Sequence, residues 1–193
     1  MSHAADRVPS PGAAPPPVIR TARLALRRLS LADAEFILEL VNDPDWLRNI
    51  GDRGVRTLED ARGYLLRGPM AMYEQLGYGL WRVELRDDGE PIGICGLVRR
   101  DALPDVDVGF AFLPRFRARG YAYEAAAATV EYAERALGLS RVVAVVSPGN
   151  DASIRLLEKL GMRRERAVRL GPGADEVLLY APAGPAAAGR TTT

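Results

Sequence analysis

A chain of 193 residues that is 48% hydrophobic can bury one real core and is short for two. Its 26 basic and 25 acidic residues leave a net charge of +1, which removes any global drive toward nucleic acid or an anionic membrane. The single histidine, His3, and the single cysteine, Cys95, leave no Ser-His-Asp or Cys-His machine in the body, no disulfide framework and no cysteine-based zinc site.

Residues 1–17, "MSHAADRVPSPGAAPPP", are rich in Pro, Ala and Ser without apolar periodicity and read as a disordered arm. No apolar stretch there suits a signal peptide, and no later segment approaches a membrane span, so a reducing, cytoplasmic setting is expected. "RLALRRL" (Arg23–Leu29) alternates as a half-buried strand does. Ser30 then caps a helix with Asp33 in the capping-box position, and Phe36, Ile37, Leu40 and Val41 form its apolar stripe. Asp43-Pro44 is read as its end. Thr57 opens a second helix, disturbed at Gly68-Pro69. "LWRVEL" (Leu80–Leu85) and "PIGICGLVRR" flank the turn "RDDGE" and make a hairpin; Cys95 within it reads as a small buried hydrophobe.

"DVDVGFAFLP" (Asp105–Pro114) is the next strand, with Val106, Val108, Phe110 and Phe112 on one face and Asp105, Asp107, Gly109 and Ala111 on the other. "RFRARGYAYEA" (Arg115–Ala125) leads into a helix that Gly138 stops. "RVVAVV" (Arg141–Val146) is apolar enough to be buried on both faces. Asn150 caps a further helix that ends at Gly161. Two strands, about Met162–Leu170 and Glu176–Ala181, finish the folded body, residues 18–181, and residues 182–193 read as a second loose tail. The order β-α-α-β-β-β-α-β-α-β-β makes this an α/β domain with a mixed sheet.

One segment carries chemistry. Arg117, Gly120 and Ala122 form Arg-x-x-Gly-x-Ala at a strand–loop–helix junction. Free N–H groups and partial positive charge at a helix start attract phosphate, and a glycine lets the ligand approach. A plain strand-to-helix turn is the competing reading. In the next unit Asn150 and Ser153 sit at a second helix mouth after the buried strand; Asn150 is either a helix cap or a ligand contact. Both mouths open at strand carboxyl ends, where α/β sheets place their ligands. A nucleotide-binding domain fits poorly: no Gly-Lys-Ser/Thr follows the glycine and no Gly-x-Gly-x-x-Gly follows the first strand.

"VGFAFLP", "RARGYAYEA", a hydrophobic strand and "NDASIRLLEKLGM" together resemble the GCN5-related N-acetyltransferase (GNAT) superfamily, in its ribosomal-protein and small-molecule branch. The likeness covers nearly all of residues 18–180. It implies a single-domain α/β fold with a mixed, mostly antiparallel sheet, helices on both faces, and a splay between the fourth and fifth strands. It implies acetyl-CoA as cosubstrate, no metal, and an amine acceptor that attacks the thioester directly. The CoA site would comprise Phe112, Leu113, Arg117, Ala118, Arg119, Gly120, Tyr121, Ala122, Asn150 and Ser153. The pyrophosphate would lie on the amides of residues 117–122, and an N–H near Phe112 or Leu113 would face the oxyanion.

Many relatives protonate the leaving thiolate from a tyrosine seven residues after the asparagine. Leu157 stands there, so Ser153 is the substitute expected, with helix capping as its alternative. Asp107 is the candidate base, with Asp105 next; a solvated strand face or a water chain in its place are the rivals. Glu124 is expected to tie the helix start to the sheet. Trp46, Asn49, Arg53 and Tyr78 are candidate acceptor-site residues; Arg53 would bind an acceptor carboxylate or pair with Asp52, and Trp46 and Tyr78 suit a core as well. A non-catalytic acyl-CoA-binding module on the same fold is the alternative function. Homodimers are common among relatives, and assembly is left open on that basis.

Overall fold

A computed structural model describes residues 16–183. The expected terminal arms, with His3, lie outside these residues except for Pro16, Pro17, Pro182 and Ala183. Eight strands form one sheet in the order β1-β2-β3-β4-β5-β6-β8-β7. They are β1 (Ile19–Arg20), β2 (Leu24–Arg28), β3 (Leu80–Leu85), β4 (Pro91–Val98), β5 (Val106–Phe112), β6 (Val142–Val146), β7 (Met162–Arg169) and β8 (Glu176–Pro182). Every pairing is antiparallel except β5 with β6. Seven strands are read from the sequence; the eighth, β1, has two residues, too few to show a period.

That one parallel pair makes the splay. β5 and β6 are in register only at Val106–Val142 and Asp107–Val143, then diverge toward their carboxyl ends. The expected gap between the fourth and fifth sequence strands is therefore the gap between β5 and β6.

The strand periodicity sorts the two faces. Arg28, Trp81, Cys95 and Phe110 are cross-strand partners and share one face. α5 (Tyr121–Leu137) covers it with Ala125, Ala126, Thr129 and Ala133, whose small side chains let the helix lie close. Trp81 meets Tyr132 edge-to-face at 5.5 Å. Burial pushes the Cys95 thiol up to about 12, so it packs as a small apolar residue with its sulfur 3.4 Å from Thr129 Oγ1. On the opposite face Arg82 pairs with Asp33 at 2.6 Å, beside an Arg27–Glu84 pair. Asp33 also accepts from the Ser30 N–H, as the capping-box reading expects, and starts α1 (Ala34–Val41) there.

Two helical segments differ from the sequence reading. Asp43-Pro44 does end α1, but it also begins α2 (Pro44–Asn49). Asp43 accepts from the N–H groups of Asp45 and Trp46, and Pro44 fills the first helical position, where a missing N–H costs nothing. The second expected helix is two, α3 (Leu58–Leu65) and α4 (Ala71–Leu76), joined by a π-helical stretch, Leu66–Met70, around Pro69. The last helix, α6 (Asp151–Lys159), is capped by Asn150.

Candidate active site

The segment between β5 and α5 is shaped to expose its amides. Gly120 has φ +80° and Ala118, a non-glycine, φ +59°. Alternating left-handed residues turn successive N–H groups toward one concavity, a backbone nest for anions. Among the described residues, no hydrogen bond is donated by the N–H of Ala118, Arg119, Gly120, Tyr121 or Ala122. Gly120 is also the residue ahead of α5, and having no side chain it leaves the helix start uncapped.

The loop is braced from behind. Arg23 donates from Nη1 to the Arg119 carbonyl at 3.1 Å, from Nε to Glu124 at 2.7 Å, and lies 4.4 Å from the centre of the Tyr121 ring. Glu124 also accepts from Thr21 Oγ1 at 2.6 Å and the Arg23 N–H at 2.9 Å. Burial pushes the Glu124 carboxyl up, but these hydrogen bonds outweigh it and hold the group below its ordinary value. The expected tie between helix and sheet is present in this geometry. Arg23, which makes it, was not picked out from the sequence.

Beside the loop, β5 offers a free main-chain edge. The Leu113 N–H donates to the Ile92 carbonyl at 2.9 Å. Alternation along an antiparallel strand then directs the main-chain groups of residues 113, 111 and 109 to β4, and those of Phe112 and Phe110 toward β6. β6 has already diverged there. Of the two N–H groups expected at an oxyanion, Leu113's is engaged and Phe112's faces the gap.

At the second mouth, Asn150 Oδ1 accepts from the Ser153 N–H at 3.2 Å. The capping reading of Asn150 is met, and among the described residues its amide nitrogen and the Ser153 hydroxyl have no partner. Leu157 is fully buried in the core, so no polar group stands where a relative's tyrosine would. Asp107 is buried at the narrow end of the splay, both oxygens 3.1 Å from Arg100 Nε. Burial raises its pKa, and Arg100 offsets part of that rise. Asp105 pairs with Arg141 at 3.0 Å.

The acceptor-side candidates separate. Trp46 is buried on α2, with Nε1 unpartnered among the described residues. Asn49 ends α2, and its carbonyl accepts from Ser147 Oγ at 2.6 Å, just beyond β6. Tyr78 is half-buried against the core, two residues before Leu80. Leu80 contacts the face of β5 at Gly109. Arg53 is exposed, without a partner among the described residues. Its suggested pairing with Asp52 is replaced: Asp52 holds Arg56, four residues on in the same loop, and the Gly54 N–H.

Arg117 is the surprise. Its Nε donates to the Phe112 carbonyl at 2.8 Å, and its two terminal nitrogens donate to Asp45 and Asp43. Three of its five N–H donors thus go to the end of β5 and the start of α2. Asp43 and Asp45 were not singled out from the sequence, although Asp-Pro at the end of an apolar stripe is also a helix-start signal.

An uncapped helix mouth beside an open strand edge, in a splayed mixed sheet, suits a ligand that carries phosphate and extends along a strand, as the cosubstrate of an acyltransferase does. The comparisons agree. The acetyltransferase (GNAT) domain model matches residues 23–163. The uncharacterised N-acetyltransferase YoaA of Bacillus subtilis is 33% identical over 157 residues, 79% of this chain and 86% of YoaA. A GNAT-family acetyltransferase structure from Bacillus anthracis superposes with a TM-score of 0.70 at 29% identity, covering 84% of this chain and 96% of that one. A ribosomal L7/L12 α-N-protein acetyltransferase solved with coenzyme A shares the fold at TM-score 0.63 and 14% identity, over 83% of this chain and 94% of the other. The chain belongs to the GNAT family and is an acetyl-CoA-dependent N-acetyltransferase.

No helix among the described residues is long and apolar enough to cross a membrane, and no group of three or more His, Cys, Asp or Glu there is placed to hold a metal.

Proposed function

We propose that the acceptor is a primary α-amine, on a small molecule or a protein N-terminus, and that it attacks acetyl-CoA bound along the β5 edge. The observation that carries this reading is the row of five N–H groups, Ala118–Ala122, unpartnered among the described residues, beside the main-chain groups of Phe110 and the N–H of Phe112 at the gap. The CoA pyrophosphate lies on that row, with Arg119 as a side-chain cation. The pantetheine arm extends the sheet from β5 into the gap, and the Asn150 amide nitrogen reaches it from α6. The Phe112 N–H faces the developing oxyanion.

The attacking amine must be neutral. With a pKa of roughly 7.7–8.0, about a third of an α-amine is neutral near pH 7.5, against about 0.1% of a lysine with a pKa of about 10.4. A site whose carboxylates are each held by an arginine, Asp107 by Arg100 and Asp43 and Asp45 by Arg117, suits the easier nucleophile. Asp107 stands five residues, about 16 Å, before Phe112, so the amine proton reaches it through a chain of waters, with burial raising its basicity. The amine nitrogen bonds to the thioester carbon, the C–S bond breaks, and Ser153 passes a proton to the leaving thiolate.

Release of free thiol from acetyl-CoA, measured with a panel of α-amines, polyamines and lysine peptides, tests the reading. Turnover confined to α-amines supports it. Turnover with lysine or polyamine acceptors alone overturns the acceptor class.

A further inference from the structure

α2 bridges the open end of the splay and is held at both ends. Its start is fixed by Arg117, which joins Asp43 and Asp45 to the last carbonyl of β5, Phe112. Its end is fixed by Ser147, just past β6, on the Asn49 carbonyl. Six helical residues span about 9 Å, so α2 lies across the carboxyl ends of the two diverging strands. The same helix carries the buried Trp46 Nε1, unpartnered among the described residues, a donor that is costly unless something meets it.

We propose that Arg117 is a positioning residue: its side chain seats α2 over the thioester end of the site and does not bind the CoA phosphates. Three of the five N–H donors of this guanidinium are engaged in this way, one of them by the nearly buried Asp43, so a phosphate would have to compete with two carboxylates for it. The bond to the Phe112 carbonyl also orients the peptide plane at the end of β5, next to the Phe112 N–H assigned to the oxyanion. The motif arginine thus controls how the acceptor meets the thioester, while the following five residues control how CoA is held. The inference rests on Ala118–Ala122 being the pyrophosphate seat.

The test measures CoA affinity by calorimetry, and kcat and acceptor KM by thiol release, in Arg117→Met, Arg117→Lys, Asp45→Asn and Gly120→Glu. Arg117→Met is expected to keep CoA affinity within about threefold and to lose at least tenfold in kcat/KM for the acceptor. Arg117→Lys stays impaired, because an ammonium cannot hold three acceptors in a planar fork. Asp45→Asn, which keeps the Asp43 cap, shows a smaller loss of the same kind, and adding it to Arg117→Met costs little more. Tenfold weaker CoA binding in Arg117→Met that lysine restores would overturn the inference and make Arg117 a phosphate ligand. Unchanged acceptor kinetics in Arg117→Met would overturn it too. Unchanged CoA affinity in Gly120→Glu would remove the seat itself, and the inference with it.

Discussion

The two helices that begin at the open end of the splay treat their first amides in opposite ways. α6 closes its start with its own side chain, Asn150 Oδ1 on the Ser153 N–H. α5 has Gly120 in that place and closes nothing. A helix start is an anion site only while its N–H groups remain unspent. The fold therefore stabilises one mouth internally and holds the other in readiness, with Arg23 bracing the exposed loop through the Arg119 carbonyl and Glu124. Stability and ligand binding are assigned to different helices at neighbouring strand ends.

The sharpest way to break this contrast is to fill the open mouth. Gly120→Glu places bulk and negative charge on the seat, and CoA affinity should fall at least about 100-fold, or about 2.8 kcal/mol. The fold should survive, because a Cβ at Gly120 meets only Arg23 Nη2, at 3.4 Å. The left-handed φ of +80° adds roughly 1–2 kcal/mol of strain. Calorimetry with CoA and a melting curve check both halves.

Asp107 lies at the narrow end of the gap, five residues before Phe112 and away from the two mouths. If it takes the amine proton, Asp107→Asn should lower kcat by about 100-fold and erase the acid limb of the kcat–pH profile. That limb rises as pH climbs through the raised folded pKa, because only the carboxylate accepts a proton. Stability runs the other way. A carboxyl whose pKa is raised on folding contributes stability below its unfolded value, near 3.9, and loses it as pH rises through the folded value. A variant that shifts the melting temperature and keeps the acid limb would leave Asp107 as only the anchor of Arg100.

The smallest effect sharpens the contrast from the capped side. Asn150→Ala removes the cap and should cost about 1 kcal/mol, a fall of roughly 2–4 °C in melting temperature. Asn150→Asp keeps the accepting oxygen and should melt within about 1 °C of the parent. If the amide nitrogen also meets the CoA arm, both variants lose CoA affinity alike while only Asn150→Ala loses stability. Both changes in CoA affinity should be far smaller than that of Gly120→Glu.

Local chemistry was the legible part of the sequence. "RFRARGYAYEA" announces its loop because a glycine at a helix start and the alternation of "VDVGFAF" before it are properties of neighbouring residues. The capped start at Asn150 and the π-disturbed helix at Pro69 follow from equally local patterns, whereas the splay was expected only from the family resemblance. The helix α2 was hidden because Asp43-Pro44 stops one helix with the same residues that start the next. The destination of Arg117 was hidden for a different reason. Its two carboxylate partners lie more than 70 positions away, and a guanidinium before a phosphate loop looks like a phosphate ligand until tertiary structure shows it paired with them. Arg56, rather than Arg53, on Asp52 is the same lesson at short range, since the path of the loop ahead of α3 decides which arginine meets the carboxylate.

Amide-resolved hydrogen exchange with and without saturating acetyl-CoA tests the central claim most directly. The account predicts that the N–H groups of Ala118–Ala122 change from fast to slow exchange, while the Ser153 N–H, already bonded to Asn150, changes little. Unaltered exchange at Ala118–Ala122 in the presence of bound acetyl-CoA would contradict it.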